Sequence, residues 1–295
     1  MYMITCEHGC LSLIVHSAER EQRRIEAIFM RDVNASKVEK LVTSFAGLRS
    51  RITVRRRFGL GRWVSDLERK LVQLWPVMAR TLRALEAADC RAAVLVPHGE
   101  LARLPLHAAR SGLGSRSYAA TERIALSYSP SAALLARARV VAGKFPALDF
   151  LGVAAPLPTS QRPLPWAKAE VEIISSRFYR TSDKIIWMAP SLLVGSEAER
   201  DMVMSSLGDY HPIRHFACHA KYNESDPLMS GIYVAHDDLC SVADFLRRSS
   251  AFRLTVLSCC ESGLAGPAII GDNFGLPGLL MATDTAAQHF DEFQI

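Results

Sequence analysis

Two segments of the sequence end an apolar run on a residue type that could do chemistry. In IRHFACHAKYNESDP, residues 213–227, the run ends at His219. In FRLTVLSCCESG, residues 252–263, it ends at the adjacent Cys259 and Cys260. An imidazole within hydrogen-bond reach of a thiol can generate the nucleophilic thiolate. The two segments therefore predict a cysteine–histidine site, provided that the fold brings them together.

The residues between these segments indicate how the fold would do so. LCSVADFLRRSS, residues 239–250, has apolar residues at helical spacing, so the region is predicted as strand, helix, strand. A right-handed crossover between neighbouring parallel strands places both carboxyl ends at one edge of the sheet. The bland alternative is that these thiols and the imidazole are buried strand-end side chains without a function.

Short apolar runs alternate with helical segments along the rest of the chain, which predicts an α/β protein with a largely parallel sheet. Strands are predicted at 10–17, 25–30, 92–96 and around 147–158, and helices within 36–50, 64–88 and 166–178. Pro76 is expected to kink or break the second of these helices.

Composition excludes several classes of protein. Charged residues are 22% and hydrophobic residues 49% of the 295, as in an ordinary globular domain and unlike a disordered chain. No apolar run is long enough to span a bilayer and no secretory signal is recognisable, so we expect a cytoplasmic protein without a membrane partner. The arginine-rich stretch of residues 48–62 is interpreted as a solvated loop or hairpin, and no nucleic acid is expected.

A metal site is not predicted either. Cys6, His8 and Cys10 in CEHGC could be metal ligands, but a structural zinc site needs a fourth ligand and no second knuckle follows. The seven cysteines have no regular spacing, which is typical of free thiols rather than of a disulfide framework.

The segments RHFACHA (214–220), DPLMSGIYV (226–234) and LTVLSCCESGLAG (254–266) together resemble the CHAT domain, a bacterial cysteine-protease family related to caspases and separases. Other segments resemble the family in order along nearly the whole chain. The resemblance implies a three-layer α/β/α caspase-like fold with a largely parallel central sheet. It also implies one CHAT-like domain over 1–295, with an N-terminal α/β subdomain at 1–145 and the catalytic core at 146–295.

The resemblance also implies roles for single residues. The nucleophile of the family directly precedes Glu-Thr/Ser-Gly, which selects Cys260 and leaves Cys259 and Cys218 as structural thiols. His219 would be the general base and acid, and the backbone N–H groups of Ala220 and Cys260 would form the oxyanion hole. No cofactor is implied. The candidates for the substrate pocket are Asp226, Ser258 and Asp272.

The implied function is a cysteine endopeptidase that cleaves a specific protein partner and is activated by a regulatory or sensor protein in bacterial defence or signalling. The family is often coupled to helical-repeat sensors, and this sequence contains no such repeats, so a separate sensor is expected. The alternatives are a catalytically inactive CHAT-like interaction module and an unrelated α/β binding protein.

The C-terminal segment departs from the family pattern. The family continues into a further strand and helix that flank the active site, whereas this sequence runs TDTAAQHFDEFQI over residues 283–295. Either one edge of the sheet is unpaired, or this short tail replaces the missing strand.

Overall fold

The described part of the chain folds into two compact units. The structure, a computed structural model, describes residues 1–16, 24–54, 60–142, 149–178, 190–209, 211–223, 225–248, 252–259 and 285–290. The first unit comprises Met1–Pro130, and the second begins at Ser131. The subdomain boundary after residue 145 stays a prediction.

The first unit is a five-stranded mixed sheet with two long helices. Its strand order is β3-β2-β1-β4-β5, in which β2 is antiparallel to both of its neighbours, β1 and β3, and β1, β4 and β5 are parallel. The strands are β1 (Tyr2–Cys6), β2 (Gly9–Val15), β3 (Ile25–Met30), β4 (Ala92–Pro97) and β5 (Ala125–Tyr128). The helices are α1 (Ala35–Val54) and α2 (Leu60–Ala87), and Pro76 lies inside α2 without ending it.

The CEHGC motif is the turn of the β1–β2 hairpin. Cys6 pairs with Gly9, and Cys10 pairs with Thr5 one step further along the ladder. Cys6 is exposed, whereas Cys10 is fully buried in the core of this unit. Burial raises the pKa of the Cys10 thiol to about 11. The two thiols therefore belong to opposite faces of the hairpin, because adjacent strand positions alternate between faces.

The second unit is built on a five-stranded parallel sheet. Its strand order is β13-β12-β8-β6-β7. The strands are β6 (Phe150–Ala154), β7 (Ser191–Val194), β8 (Ile213–Ala217), β12 (Phe252–Leu257) and β13 (Thr285–Phe290). Its helices are α3 (Ala132–Ala142), α4 (Ala167–Ser175), α5 (Arg200–Ser206) and α6 (Val242–Arg247). The predicted mixed α/β fold with a largely parallel sheet is confirmed.

A small antiparallel sheet follows β8 along the chain. It consists of β9 (Ala220–Lys221), β10 (Gly231–Tyr233) and β11 (Leu239–Ser241), in the order β11-β10-β9. The helix predicted from Leu239 onward begins only at Val242, because residues 239–241 pair with β10 as β11.

Helices cover both faces of the parallel sheet. Leu151 and Val153 of β6 pack in one core cluster with α5, whereas Phe150 and Ala154 pack in another with α4. Gly152 faces α4 so closely that a Cβ atom there would lie 2.8 Å from Leu192 and still closer to Val171. This two-sided covering explains why β6 is apolar throughout, and it is consistent with the predicted three-layer arrangement.

The segment that departs from the family pattern, residues 283–295, supplies a strand. β13 pairs in parallel with β12 over the whole length of that strand, from Phe252 opposite Thr285 to Leu257 opposite Phe290. Of the two outcomes that the sequence left open, the tail therefore replaces a flanking strand. β12 is an interior strand of the sheet as a result.

None of the helices in the described residues combines the length and the apolar character that crossing a bilayer requires.

Candidate active site

His219 lies in the short link between the parallel sheet and the small antiparallel sheet. β8 ends at Ala217 and β9 begins at Ala220, so only Cys218 and His219 separate them. The N–H of Tyr233 in β10 donates to the carbonyl of His219 over 2.8 Å. The backbone of His219 is thereby held from both sides by paired strands.

The imidazole of His219 has a defined tautomer. Its Nε2 lies 2.7 Å from the main-chain carbonyl oxygen of Arg162. A carbonyl only accepts hydrogen bonds, so Nε2 carries the proton and Nδ1 carries the lone pair. Partial burial lowers the pKa of His219 below its usual 6.5. The ring is therefore a neutral base at pH 7, with Nδ1 as its proton acceptor.

The strands that lead to the two predicted catalytic residues are direct neighbours. β8 and β12 are parallel, and the last pair of their register joins Phe216 to Leu257. One residue further on, the N–H of Ser258 donates to the carbonyl of Phe216 over 2.9 Å. Both strands therefore deliver their carboxyl ends to the same edge of the sheet, as the crossover argument predicted.

The described residues end at Cys259 on this strand, so the predicted nucleophile Cys260 and the pocket candidate Asp272 lie outside them. The geometric prediction that His219 and Cys260 converge stays a prediction.

Two other thiols near this edge are buried and bonded to main-chain oxygens. Cys259 Sγ donates to the Phe216 carbonyl over 3.2 Å, and Cys218 Sγ donates to the Val153 carbonyl over 3.5 Å. Both residues are 1% exposed. Burial raises the pKa of Cys218 well above its usual value, so this thiol stays protonated and inert.

The remaining site candidates have different surroundings. Ala220 is half-buried at the start of β9, where it pairs with Ile232. Asp226 is exposed just before a 3-10 turn, and its N–H donates to the Asn223 side chain over 3.1 Å. Ser258 is only 2% exposed, so its hydroxyl does not line an open surface in this structure.

Sequence reasoning missed the partners of two histidines, His215 in β8 and His219 in the link that follows it. The carbonyl of Arg162 gave no signal, because a main-chain oxygen does not depend on residue type. His215, in the same motif, is 4% exposed and its Nε2 lies 2.8 Å from Glu170 Oε1 in α4. The contact with Glu170 puts His215 on the α4 side of the sheet. The sequence signal for this pair was the histidine itself, four residues before His219 in the same motif.

A comparison of the sequence with protein families finds a match that covers both predicted catalytic residues. Residues 68–283 match the model of the CHAT domain, which is more than two thirds of the chain. The chain belongs to the CHAT domain family. This match includes His219 and Cys260, and it confirms the family that the sequence motifs resemble. The CHAT domain is related to caspase-like peptidases. A comparison with curated proteins finds no match.

The matched range of this CHAT domain protein does not coincide with its structural units. It begins inside α2 of the first unit and ends just before β13 of the second. The first three strands and β13 lie outside it. Among the described residues, no group of three or more histidine, cysteine or carboxylate side chains could hold a metal ion.

Proposed function

We propose that this CHAT domain protein is a cysteine endopeptidase in which Cys260 is the nucleophile and His219 the general base and acid. The observation that carries the proposal is the hydrogen bond from His219 Nε2 to the Arg162 carbonyl. It holds a neutral imidazole with its basic Nδ1 directed away from that carbonyl, since the two nitrogens lie on opposite sides of the ring.

The register of the sheet supports the pairing of these two residues. Leu257 is opposite Phe216, and both strands run toward the segments that carry the two residues. Cys259 packs with Phe216 and Cys218 in the core cluster on the α5 side. We propose that the alternation of β12 continues past Cys259, which would put Cys260 on the α4 side together with His219.

The proposed reaction has two steps. His219 Nδ1 takes the Cys260 proton while the sulfur attacks the scissile carbonyl, and the imidazolium then gives that proton to the leaving amine, which leaves a thioester. Water, deprotonated by His219, then hydrolyses the thioester to the free carboxylate and restores the thiol. The N–H groups of Ala220 and Cys260 would donate to the oxyanion in both steps.

The proposed substrate is a specific protein partner, and the proposed regulator is a separate protein in bacterial defence or signalling. An unregulated thiol peptidase would damage the proteins around it. A regulator that binds the competent conformation of the site more tightly than the resting one would shift the population toward activity. An inactive interaction module is the alternative if no cleavage occurs.

The test combines an electrophilic active-site probe with cleavage measured by mass spectrometry. The wild type and the Cys260→Ala, His219→Ala and Cys259→Ala variants are incubated with the probe and with candidate partner proteins. The proposal expects labelling and cleavage in the wild type and in Cys259→Ala, and neither in Cys260→Ala. Cleavage that persists in both Cys260→Ala and His219→Ala would exclude the dyad.

A further inference from the structure

The turn between β10 and β11 has an unusual backbone. His236 and Asp237 are consecutive residues with φ values of 64° and 59°, in the left-handed region. Neither residue is glycine, so each conformation costs free energy and persists only where the surroundings impose it. The turn is closed by the N–H of Val234, which donates to the Asp238 carbonyl over 2.9 Å.

This turn holds a second loop, the segment 158–162 that precedes α4. Thr159 Oγ1 donates to Asp237 Oδ1 over 2.5 Å, and the N–H of Ser160 lies 2.9 Å from Asp237 Oδ2. The N–H of His236 donates to the Pro158 carbonyl over 2.7 Å. The strained pair of residues thus presents one carboxylate and one N–H to three successive residues of the other loop.

The held segment is the one that orients the imidazole. Thr159 Oγ1 also accepts from the N–H of Gln161 over 3.0 Å. The next residue is Arg162, whose carbonyl accepts from His219 Nε2. Asp237 is therefore connected to His219 by hydrogen bonds as far as Gln161, by the peptide chain from Gln161 to Arg162, and by the hydrogen bond from the Arg162 carbonyl to the imidazole.

We propose that Asp237 is a positioning residue for His219: its carboxylate fixes the 158–162 segment so that the Arg162 carbonyl selects the Nε2–H tautomer. The role of that tautomer in catalysis rests on the proposed function, but the positioning itself does not. The donors from Thr159 and Ser160 also lower the pKa of Asp237 below its usual value, so the carboxylate is ionised at neutral pH.

Four variants separate positioning from general stability. Asp237→Ala removes the acceptor, and Thr159→Val removes the hydroxyl donor without changing the strained turn. Asp237→Asn keeps one acceptor oxygen and tolerates positive φ. Asp238→Ala removes the same charge from the next, exposed residue and is the matched control.

The first readout is the ¹⁵N chemical shifts of the His219 ring, which report its tautomer without any substrate. We expect the Nδ1–H tautomer to become populated in Asp237→Ala and Thr159→Val, and the wild-type Nε2–H form to remain in Asp237→Asn and Asp238→Ala. Unchanged ¹⁵N shifts in Asp237→Ala and Thr159→Val, with both proteins folded, would overturn the inference.

The second readout is the rate of Cys260 alkylation at pH 7, which tests the proposed function separately. We expect this rate to decrease roughly 10-fold in Asp237→Ala and Thr159→Val. This decrease is smaller than the loss expected when a general base is removed altogether. A shifted tautomer together with an alkylation rate that His219→Ala leaves unchanged would support the positioning and overturn the dyad.

Discussion

His219 donates its Nε2–H to the main-chain carbonyl of Arg162 over 2.7 Å. This one hydrogen bond determines which ring nitrogen is basic, and the burial of the ring keeps it uncharged at neutral pH. A histidine that ends a strand is ordinary in itself. A histidine held in one tautomer at the carboxyl edge of a parallel sheet has the arrangement that the proposed general base requires.

The lowered pKa of His219 predicts how alkylation of Cys260 depends on pH. The pKa of His219 lies below the usual 6.5, so the ring gains its proton only at a pH below 6.5. The alkylation rate should therefore decrease with falling pH, and the midpoint of this decrease should lie below pH 6.5. The decrease should be missing in His219→Ala and kept in His8→Ala, which changes an exposed histidine of the first unit. A midpoint above 6.5 would contradict the prediction.

The same shift predicts a small effect of pH on stability. The folded state binds the His219 proton less tightly than the unfolded chain does, so the free energy of unfolding should fall as the pH falls below 6.5. Urea unfolding of the wild type and His219→Ala at pH 7 and pH 5.5 measures this difference. The pH-dependent loss should be smaller in the variant.

Replacement by alanine should have opposite effects at the adjacent residues Cys259 and Cys260. Cys259 is buried and donates to the Phe216 carbonyl, so Cys259→Ala should lower the free energy of unfolding by about 1 kcal/mol and leave probe labelling intact. Cys260→Ala should abolish labelling. Mass spectrometry after brief alkylation of the native protein should find Cys218 and Cys259 unmodified, and rapid modification of either would contradict their structural role.

Gly152 should not tolerate a methyl group. A Cβ atom there would collide with Val171 of α4 and with Leu192 of β7, and overpacking of this kind costs about 1–3 kcal/mol. Thermal unfolding should therefore show a lower Tm for Gly152→Ala. Gly112→Ala is the matched control, because a Cβ atom at Gly112 would meet nothing within 4 Å. Equal Tm values for the two variants would show that α4 moves away freely.

Removal of β13 should expose an edge of the parallel sheet. A chain truncated before Thr285 would leave β12 with unpaired backbone groups along its whole length, which favours aggregation. We expect a lower soluble yield and a lower Tm than for a chain truncated after Phe290, which keeps the strand. Indistinguishable behaviour of the two truncated proteins would mean that β13 adds nothing to stability.

The sequence by itself determined that β8 and β12 are buried strands joined through a helix, because buried parallel strands are apolar throughout and the segment between them has helical spacing. That the two strands are direct neighbours was a prediction from the crossover rule, and their pairing in the sheet bears it out. Family motifs then distinguished Cys260 from Cys259, which alternation along a strand could not do.

Only the tertiary structure decided what surrounds His219. The Arg162 carbonyl contacts His219 from 57 positions away along the chain, and the Asp237 carboxylate holds the loop before Arg162 through Thr159, which is 78 positions from it. The tail strand β13 and the separation of Cys6 from Cys10 likewise depend on pairing between strands. Sequence patterns report the period of one element, whereas a main-chain acceptor carries no residue-type signal and its partner is chosen only when distant elements pack together.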